Sequence, residues 1–165
     1  MIGKMAGLGL VAAIVMGLAQ GDKPAEPPTR YYKLDFVVKE VEGGKTVNSR
    51  AYTTTISTER GARTSIRTGS RIPAPTGKEG SFTYLDMGVS FDCGQAKVTG
   101  NELAINVTAD ITSVADPSST PPVIRTNRWS GDVLVPVSKA TVVFSSEDAN
   151  SKRQMQLEMT ATPIK

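Results

Sequence analysis

The sequence predicts an all-β fold, either an antiparallel sandwich or a partly open barrel of about eight strands, after an N-terminal signal helix. The main observation is that apolar residues recur with a period of two from Tyr31 onward. Alternate side chains of a strand point to opposite faces, so this pattern indicates strands with one apolar face. Turn residues interrupt the pattern at short intervals, and such strands must pack over one another.

Residues 1–21 are predicted to be a secretory signal peptide. Lys4 precedes an uninterrupted apolar run over residues 6–18, and small residues stand at Ala19 and Gly21. A charged start, a short apolar run and a small-x-small site are typical of a cleaved leader. The run is also shorter than the roughly 20 apolar residues of a membrane-spanning helix.

Residues 22–30 are charged and rich in proline, which predicts an extended tether. Residues 31–165 are predicted to form the β-domain. Since the leader is expected to be removed, we expect a periplasmic or secreted protein with no integral membrane domain.

The first half of the domain is predicted to contain four strands. These are a strand around Leu34–Val38, a return strand over Val47–Thr58, a third over Arg63–Ile72 that ends at Pro73 and Pro75, and a fourth over Ser81–Cys93. Gly43 and Gly44 predict a hairpin turn, because glycine tolerates the positive φ of primed turns. Arg60 and Gly61 predict the next turn.

The second half is predicted to contain four more strands and no helix. They cover Leu103–Thr112, Val123–Val135, Thr141–Ser146 and Met155–Thr160, with Pro163 ending the last. Turns or loops are predicted at residues 99–101, 115–122 and 147–151. An irregularity, a bulge, is predicted near Ser130 and Gly131.

Composition excludes several classes of chemistry. The chain has no histidine, which excludes Ser-His-Asp and Cys-His catalysis and His-ligated zinc. A single cysteine, Cys93, excludes an internal disulfide framework and is expected to be a buried, inert thiol. A net charge of +3 and 5% aromatic residues do not favour nucleic acid as a partner. We expect no cofactor and no metal.

Acidic residues offer the remaining route to catalysis. The candidates are Asp86, Asp92, Asp110, Asp132 and the pair Glu147–Asp148. A glycosidase needs two carboxylates about 5–10 Å apart across a cleft. Acids on the polar face of a sheet are ordinarily solvated, and we expect that here. The loop that begins at Asp116 has too few carboxylates for a calcium site.

A basic stripe is the most prominent candidate binding feature. Arg63, Arg67 and Arg71 share one parity in the third strand and therefore project to one side, where Arg60 and Arg50 could join them. This face could bind an acidic partner, a lipid head group or a polysaccharide. The alternative, which we favour, is a solvated face that discourages edge-to-edge aggregation.

A second candidate lies in the strand that contains Arg125, Arg128 and Trp129. Trp129 is the only tryptophan of the chain and could anchor a binding site. The alternative is that it packs in the core or at a sheet edge.

Two segments carry distinctive motifs. Ala62–Pro73 has a glycine followed by an apolar-proline pair, and Tyr84–Cys93 has an aromatic residue followed by D-x-G. Together with the segments Ile111–Val114, Pro122–Arg128, Thr141–Val143 and Leu157–Ile164, and in this order, they resemble the core β-domain of secretins, the ring-forming outer-membrane channels of bacterial secretion systems and type IV pili.

The resemblance implies a truncated secretin-like β-module of the bacterial envelope. The family's N-terminal ring domains have no counterpart before Tyr31, and its membrane-facing lip has none after Val143. We therefore expect a non-enzymatic module that associates with itself in a ring or with a protein partner, through strand edges or sheet faces. The alternative is a binding module for an anionic small molecule or glycan on the basic face.

Overall fold

A computed structural model describes residues 28–75, 81–116, 119, 122–148 and 152–165. The predicted signal peptide, most of the tether and part of the loop after Asp116 lie outside these residues.

Eight strands make up the described chain. They are β1 (Tyr31–Glu42), β2 (Lys45–Ser57), β3 (Arg63–Pro75), β4 (Phe82–Thr99), β5 (Glu102–Asp116), β6 (Val123–Pro136), β7 (Thr141–Glu147) and β8 (Arg153–Ile164). They form two four-stranded sheets, with orders β2-β1-β8-β7 and β3-β4-β5-β6. We call these the first and the second sheet. Every neighbouring pair within them is antiparallel.

The architecture confirms the predicted all-β sandwich. The described residues contain no helix, and hence none that could cross a membrane. No hydrogen-bonded ladder joins the two sheets within the described part of the chain, so there they are separate layers rather than a closed cylinder of strands.

The core lies between the inward faces of the two sheets, as the alternation predicts. Leu34 and Phe36 of β1 and Leu157 of β8 are fully buried on one side, and Phe91 of β4 and Ile105 of β5 are buried on the other. The rings of Phe36 and Phe91 stack across the sheets with centroids 4.6 Å apart. Because no polar side chain is buried among the described residues, burial of apolar surface dominates the stability of this sandwich.

Two predicted turns have the expected backbone conformation. Gly43 and Gly44 both have positive φ, 58° and 79°, and they connect β1 to β2 as a two-residue hairpin. Gly100, with φ of 61°, begins the turn between β4 and β5.

Prolines do not end strands where the sequence predicts that they should. β3 continues through Pro73 to Pro75, and β8 continues through Pro163 to Ile164. β3 is an edge strand, and β7 pairs with β8 only as far as Met159. Strand prolines are tolerated at such edges, because no second ladder needs their missing N–H group.

The predicted bulge near Ser130 and Gly131 is wrong, because β5 and β6 stay in register through both residues. Gly131 instead lies beside the indole of Trp129, whose Cζ2 would be 3.1 Å from a Cβ at that position. An irregularity that the sequence did not predict lies in β4, between Gly94 and Lys97, where Gln95 has a φ of 56°. This bulge lets β4 run to Thr99 instead of ending at Cys93.

The edges of the two sheets approach each other along both sides of the sandwich. On one side β2 lies beside β3, where the hydroxyl groups of Thr54 and Thr64 are hydrogen-bonded at 2.7 Å. On the other side β6 lies beside β7, where Trp129 stacks on Phe144 with centroids 5.9 Å apart. Each side therefore presents one edge strand of each sheet.

Candidate functional site: the polar face and the sheet edges

The basic stripe projects to one side of β3, as predicted, but aspartates lie within reach of most of it. Arg67 donates to both carboxylate oxygens of Asp92, at 2.6 and 2.7 Å. Arg71 donates to Asp86 at 2.8 Å. Both aspartates belong to β4, the strand that pairs with β3.

The same pattern continues on β6, where Arg128 donates to Asp110 of β5 at 2.6 and 2.9 Å. We define the polar face as the outward side of β3–β6. Its charged residues, among those with described side chains, are Arg63, Arg67, Arg71, Lys97 and Arg128, against Asp86, Asp92, Glu102, Asp110 and Asp132. Since these cations and anions are equal in number, the described side chains of the polar face carry no net charge.

Neutralisation, rather than stability, is the main effect of these ion pairs. Both side chains of the Arg71–Asp86 pair are more than 70% exposed, and Arg67 and Asp92 are more than half exposed. Exposed pairs of this kind typically contribute about 0–1 kcal/mol to folding. These ion pairs do, however, neutralise the excess positive charge that the polar face would need in order to bind an anionic partner.

Arg63 differs from the other arginines of the stripe, because it has no carboxylate partner among the described residues. It borders a shallow polar depression of about 540 Å³ beside the β4 bulge. Ser65, Asp92, Asn106 and Thr108 also line this depression.

Arg50 and Arg60 do not extend the stripe. Arg50 lies on β2, opposite Val38 of β1, and so belongs to the other sheet. Arg60 lies in the connection between β2 and β3. The sequence order suggests that the arginines of β2 and β3 are neighbours, but the chain changes sheets between these strands.

Arg125 and Trp129 lie on the face of β6 opposite to Arg128. Arg125 forms an ion pair with Asp148, the residue that follows β7, and only 12% of the Asp148 side chain is exposed. Trp129 packs on Phe144 of β7 and against the core. These contacts favour the core or sheet-edge role for Trp129, and they make both residues part of the boundary between the two sheets.

The four candidate acids of the polar face accept hydrogen bonds from donors, and two of them, Asp86 and Asp110, also line one open depression of about 400 Å³. Asp86, Asp92 and Asp110 each accept from an arginine, and Asp132 accepts from the Asn106 amide at 2.9 Å. Within the described residues no group of three acidic, Cys or His side chains could hold a metal ion.

Cys93 is buried, as predicted, with 4% of its surface exposed. Burial, together with the nearby charge of Asp92, raises the pKa of the Cys93 thiol to about 12. Because the thiolate is the reactive form of cysteine, the protonated Cys93 thiol is expected to be unreactive in the folded protein.

Sequence reasoning missed the acidic partners of the arginines. The signal was present, because the aspartates of β4 and β5 share the parity of the outward residues. Which arginine meets which aspartate depends on the pairing register, and the sequence pattern does not fix it.

No protein-family model matches the sequence, and no curated protein matches it. Solved structures do match by shape. The secretin InvG of the Salmonella SPI-1 type III secretion injectisome aligns with a TM-score of 0.51 at 8% identity, over 83% of this chain and 65% of that chain. InvG in an atomic model of the basal-body proteins InvG, PrgH and PrgK gives the same TM-score and identity, over 46% of that chain.

The type II secretin GspD of enteropathogenic Escherichia coli aligns with a TM-score of 0.49 at 11% identity, over 83% of this chain and 69% of that one. The InvG alignments show that this chain has the fold of a secretin β-domain, which confirms the resemblance seen in the sequence. The chain spans about two thirds or less of the InvG chains that it matches.

Proposed function

We propose that this protein is a non-enzymatic structural module of the bacterial envelope, periplasmic or secreted, that works by self-association in a ring linked to protein secretion. The observation that carries the proposal is the secretin β-domain fold, in a sandwich whose four edge strands have, among the residues that the structure describes, no hydrogen-bonded neighbour on one side. A fold alone does not determine function, so the edges and faces supply the rest of the argument.

The strand directions favour a ring. Each sheet has four antiparallel strands, and its two edges therefore run in opposite directions. When a second copy places its β3 beside β6 of the first, the antiparallel pattern continues, and the same holds for β2 beside β7. Repetition of one such head-to-tail contact closes into a ring or continues as an open filament.

The exposed edges support association rather than its avoidance. Proteins that remain monomeric usually protect a long edge strand with charged side chains, prolines, bulges or a covering loop. β3 is 13 residues long, and its arginines point to the polar face, where Arg67 and Arg71 are already neutralised. Pro73 and Pro75 protect one end of this edge, so the stretch from Arg63 to Ile72 is the part of β3 that is available for pairing.

Light scattering coupled to size-exclusion chromatography tests this proposal. The full chain has a mass of 17.5 kDa, or less after leader removal, and we expect a single peak whose mass is a fixed, large multiple of it. A protein that stays monomeric up to high micromolar concentration contradicts the proposal. A broad range of masses that grows with time indicates nonspecific aggregation, which also contradicts it.

A second candidate function is supported by Arg63 and its depression, which could hold an anionic small molecule or a glycan. A titration with a sulfated disaccharide at low and high salt tests it, because exposed charges are strongly screened by salt. Binding that weakens with salt and is lost in Arg63→Ala, but is kept in Arg71→Ala, favours this function. The absence of binding at low salt excludes it for this probe.

A further inference from the structure

The two edges of the second sheet are complementary in charge at one level of the sandwich. Across the sheet, Arg63 of β3 lies opposite Gly94 of β4, Gly94 opposite Asn106 of β5, and Asn106 opposite Asp132 of β6. This row of residues therefore begins with a cation at one edge and ends with an anion at the other.

Neither end of this row has a partner of opposite charge. Arg63 and Asp132 are both exposed, and neither belongs to an ion pair among the described residues. Asp132 accepts only the neutral Asn106 amide, at 2.9 Å, which leaves its full negative charge available at the β6 edge. The other arginines of the polar face, by contrast, have aspartate partners within their own chain.

From these observations we infer that β3 of one copy pairs with β6 of the next without any stagger between the copies. This pairing, which we call the flush register, sets Arg63 of one copy opposite Asp132 of the next. The occupant of the β3 edge is thus a second copy, and an Arg–Asp pair selects the register. This inference rests on the proposed self-association and adds the contact that orients it. Such a charge pair contributes more to the choice of register than to overall affinity.

The neighbouring row is compatible with this register. Arg67 lies opposite Ser90, Ser90 opposite Asp110, and Asp110 opposite Arg128, so Arg67 and Arg128 would face each other between copies. Each brings its own carboxylate, Asp92 for Arg67 and Asp110 for Arg128, and the four charges sum to zero. The flush register therefore creates a new attraction in one row without net repulsion in the next.

A charge exchange tests the contact. Arg63→Asp and Asp132→Arg each place like charges opposite each other, and we expect each to raise the protein concentration for half-assembly at least about tenfold. The double variant restores the pair in reverse and should restore assembly toward that of the unmodified protein. Thermal unfolding of each variant, followed by circular dichroism, verifies that these exposed substitutions leave the fold intact.

Engineered disulfides test the register itself. In Arg63→Cys/Asp132→Cys the two thiols face each other between copies, and oxidation should produce covalently linked multimers. The matched control is Arg67→Cys/Asp132→Cys. In the flush register its two thiols are displaced from each other by four residues, or roughly 13 Å along the strand. Buried Cys93 is present in both and does not distinguish them.

The outcomes separate this contact from the proposed function. A monomeric unmodified protein overturns both. An assembled protein that is insensitive to either single charge reversal, or that forms multimers only in the staggered control, overturns the Arg63–Asp132 contact and leaves self-association in place.

Discussion

Gly69 and Gly88 face each other across the β3–β4 ladder, at a point where the two backbones leave no room for a methyl group. A Cβ on Gly88 would lie 2.0 Å from the Thr68 carbonyl oxygen, and a Cβ on Gly69 would lie 2.5 Å from that of Met87. Gly88 also has a φ of +155°, which residues with a side chain rarely adopt. Close approach of backbones is a recognised reason for glycine within a strand.

Gly88→Ala is therefore expected to lower the free energy of unfolding by at least about 2 kcal/mol, or to prevent folding. Urea denaturation followed by circular dichroism measures the loss. The matched control is Gly94→Ala on the same strand, whose Cβ would make an ordinary 3.5 Å contact with the Arg63 side chain. Equal stability of the two variants would contradict this explanation.

The raised pKa of Cys93 predicts how the thiol reacts. At pH 8 the buried thiol should stay protonated, so alkylation by iodoacetamide should be far slower in the folded protein than in urea. Mass spectrometry of the labelled chain measures both rates. Rapid modification in native buffer would show that the core opens at Cys93.

The same shift makes stability depend on pH. In the unfolded chain the thiol loses its proton near its ordinary pKa of 9.0, whereas the folded state retains it until about 12. The contribution of Cys93 is therefore fully present below pH 9 and is lost as the pH rises from 9 toward 12. Cys93→Ala should reduce this decline, which a comparison of urea midpoints at pH 8 and pH 10 can detect.

Among the elements, β6 and β7 meet through the stacked rings of Trp129 and Phe144. Trp129→Ala removes this packing and should cost about 2–4 kcal/mol, whereas Trp129→Phe keeps an aromatic ring and should cost less. The control is Arg128→Ala, next in sequence but on the polar face, where we expect a loss below about 1 kcal/mol. A Trp129→Ala protein as stable as this control would place the indole outside the packed boundary.

The strands themselves could be predicted largely from alternation and turn chemistry. Leu103–Ile111 alternates strictly, and every inward residue of that stretch is buried. The bulge at Gln95 could not be predicted from alternation, because it places Cys93 and Ala96, which are three residues apart, on the same buried face. Pro73 and Pro163 misled the prediction, because whether a strand is an edge depends on its neighbours.

For the whole molecule, the local pattern identifies which residues face inward but not which strands share a sheet. The chain leaves the first sheet after β2 and returns to it at β7. Consequently the outward parity of Arg63, Arg67 and Arg71 was predictable, whereas their neutralisation by Asp92 and Asp86, and the separation of Arg50 from them, were not. The site that we propose therefore lies at the edges of β3 and β6 rather than on a basic face.

The most direct test of the ring proposal is single-particle electron microscopy of the purified protein. We expect class averages that show closed rings of one dominant symmetry, with a wall two sheets thick. Isolated particles of single-copy size, or open filaments of variable length, would contradict the claim that this chain assembles as a ring-forming envelope module.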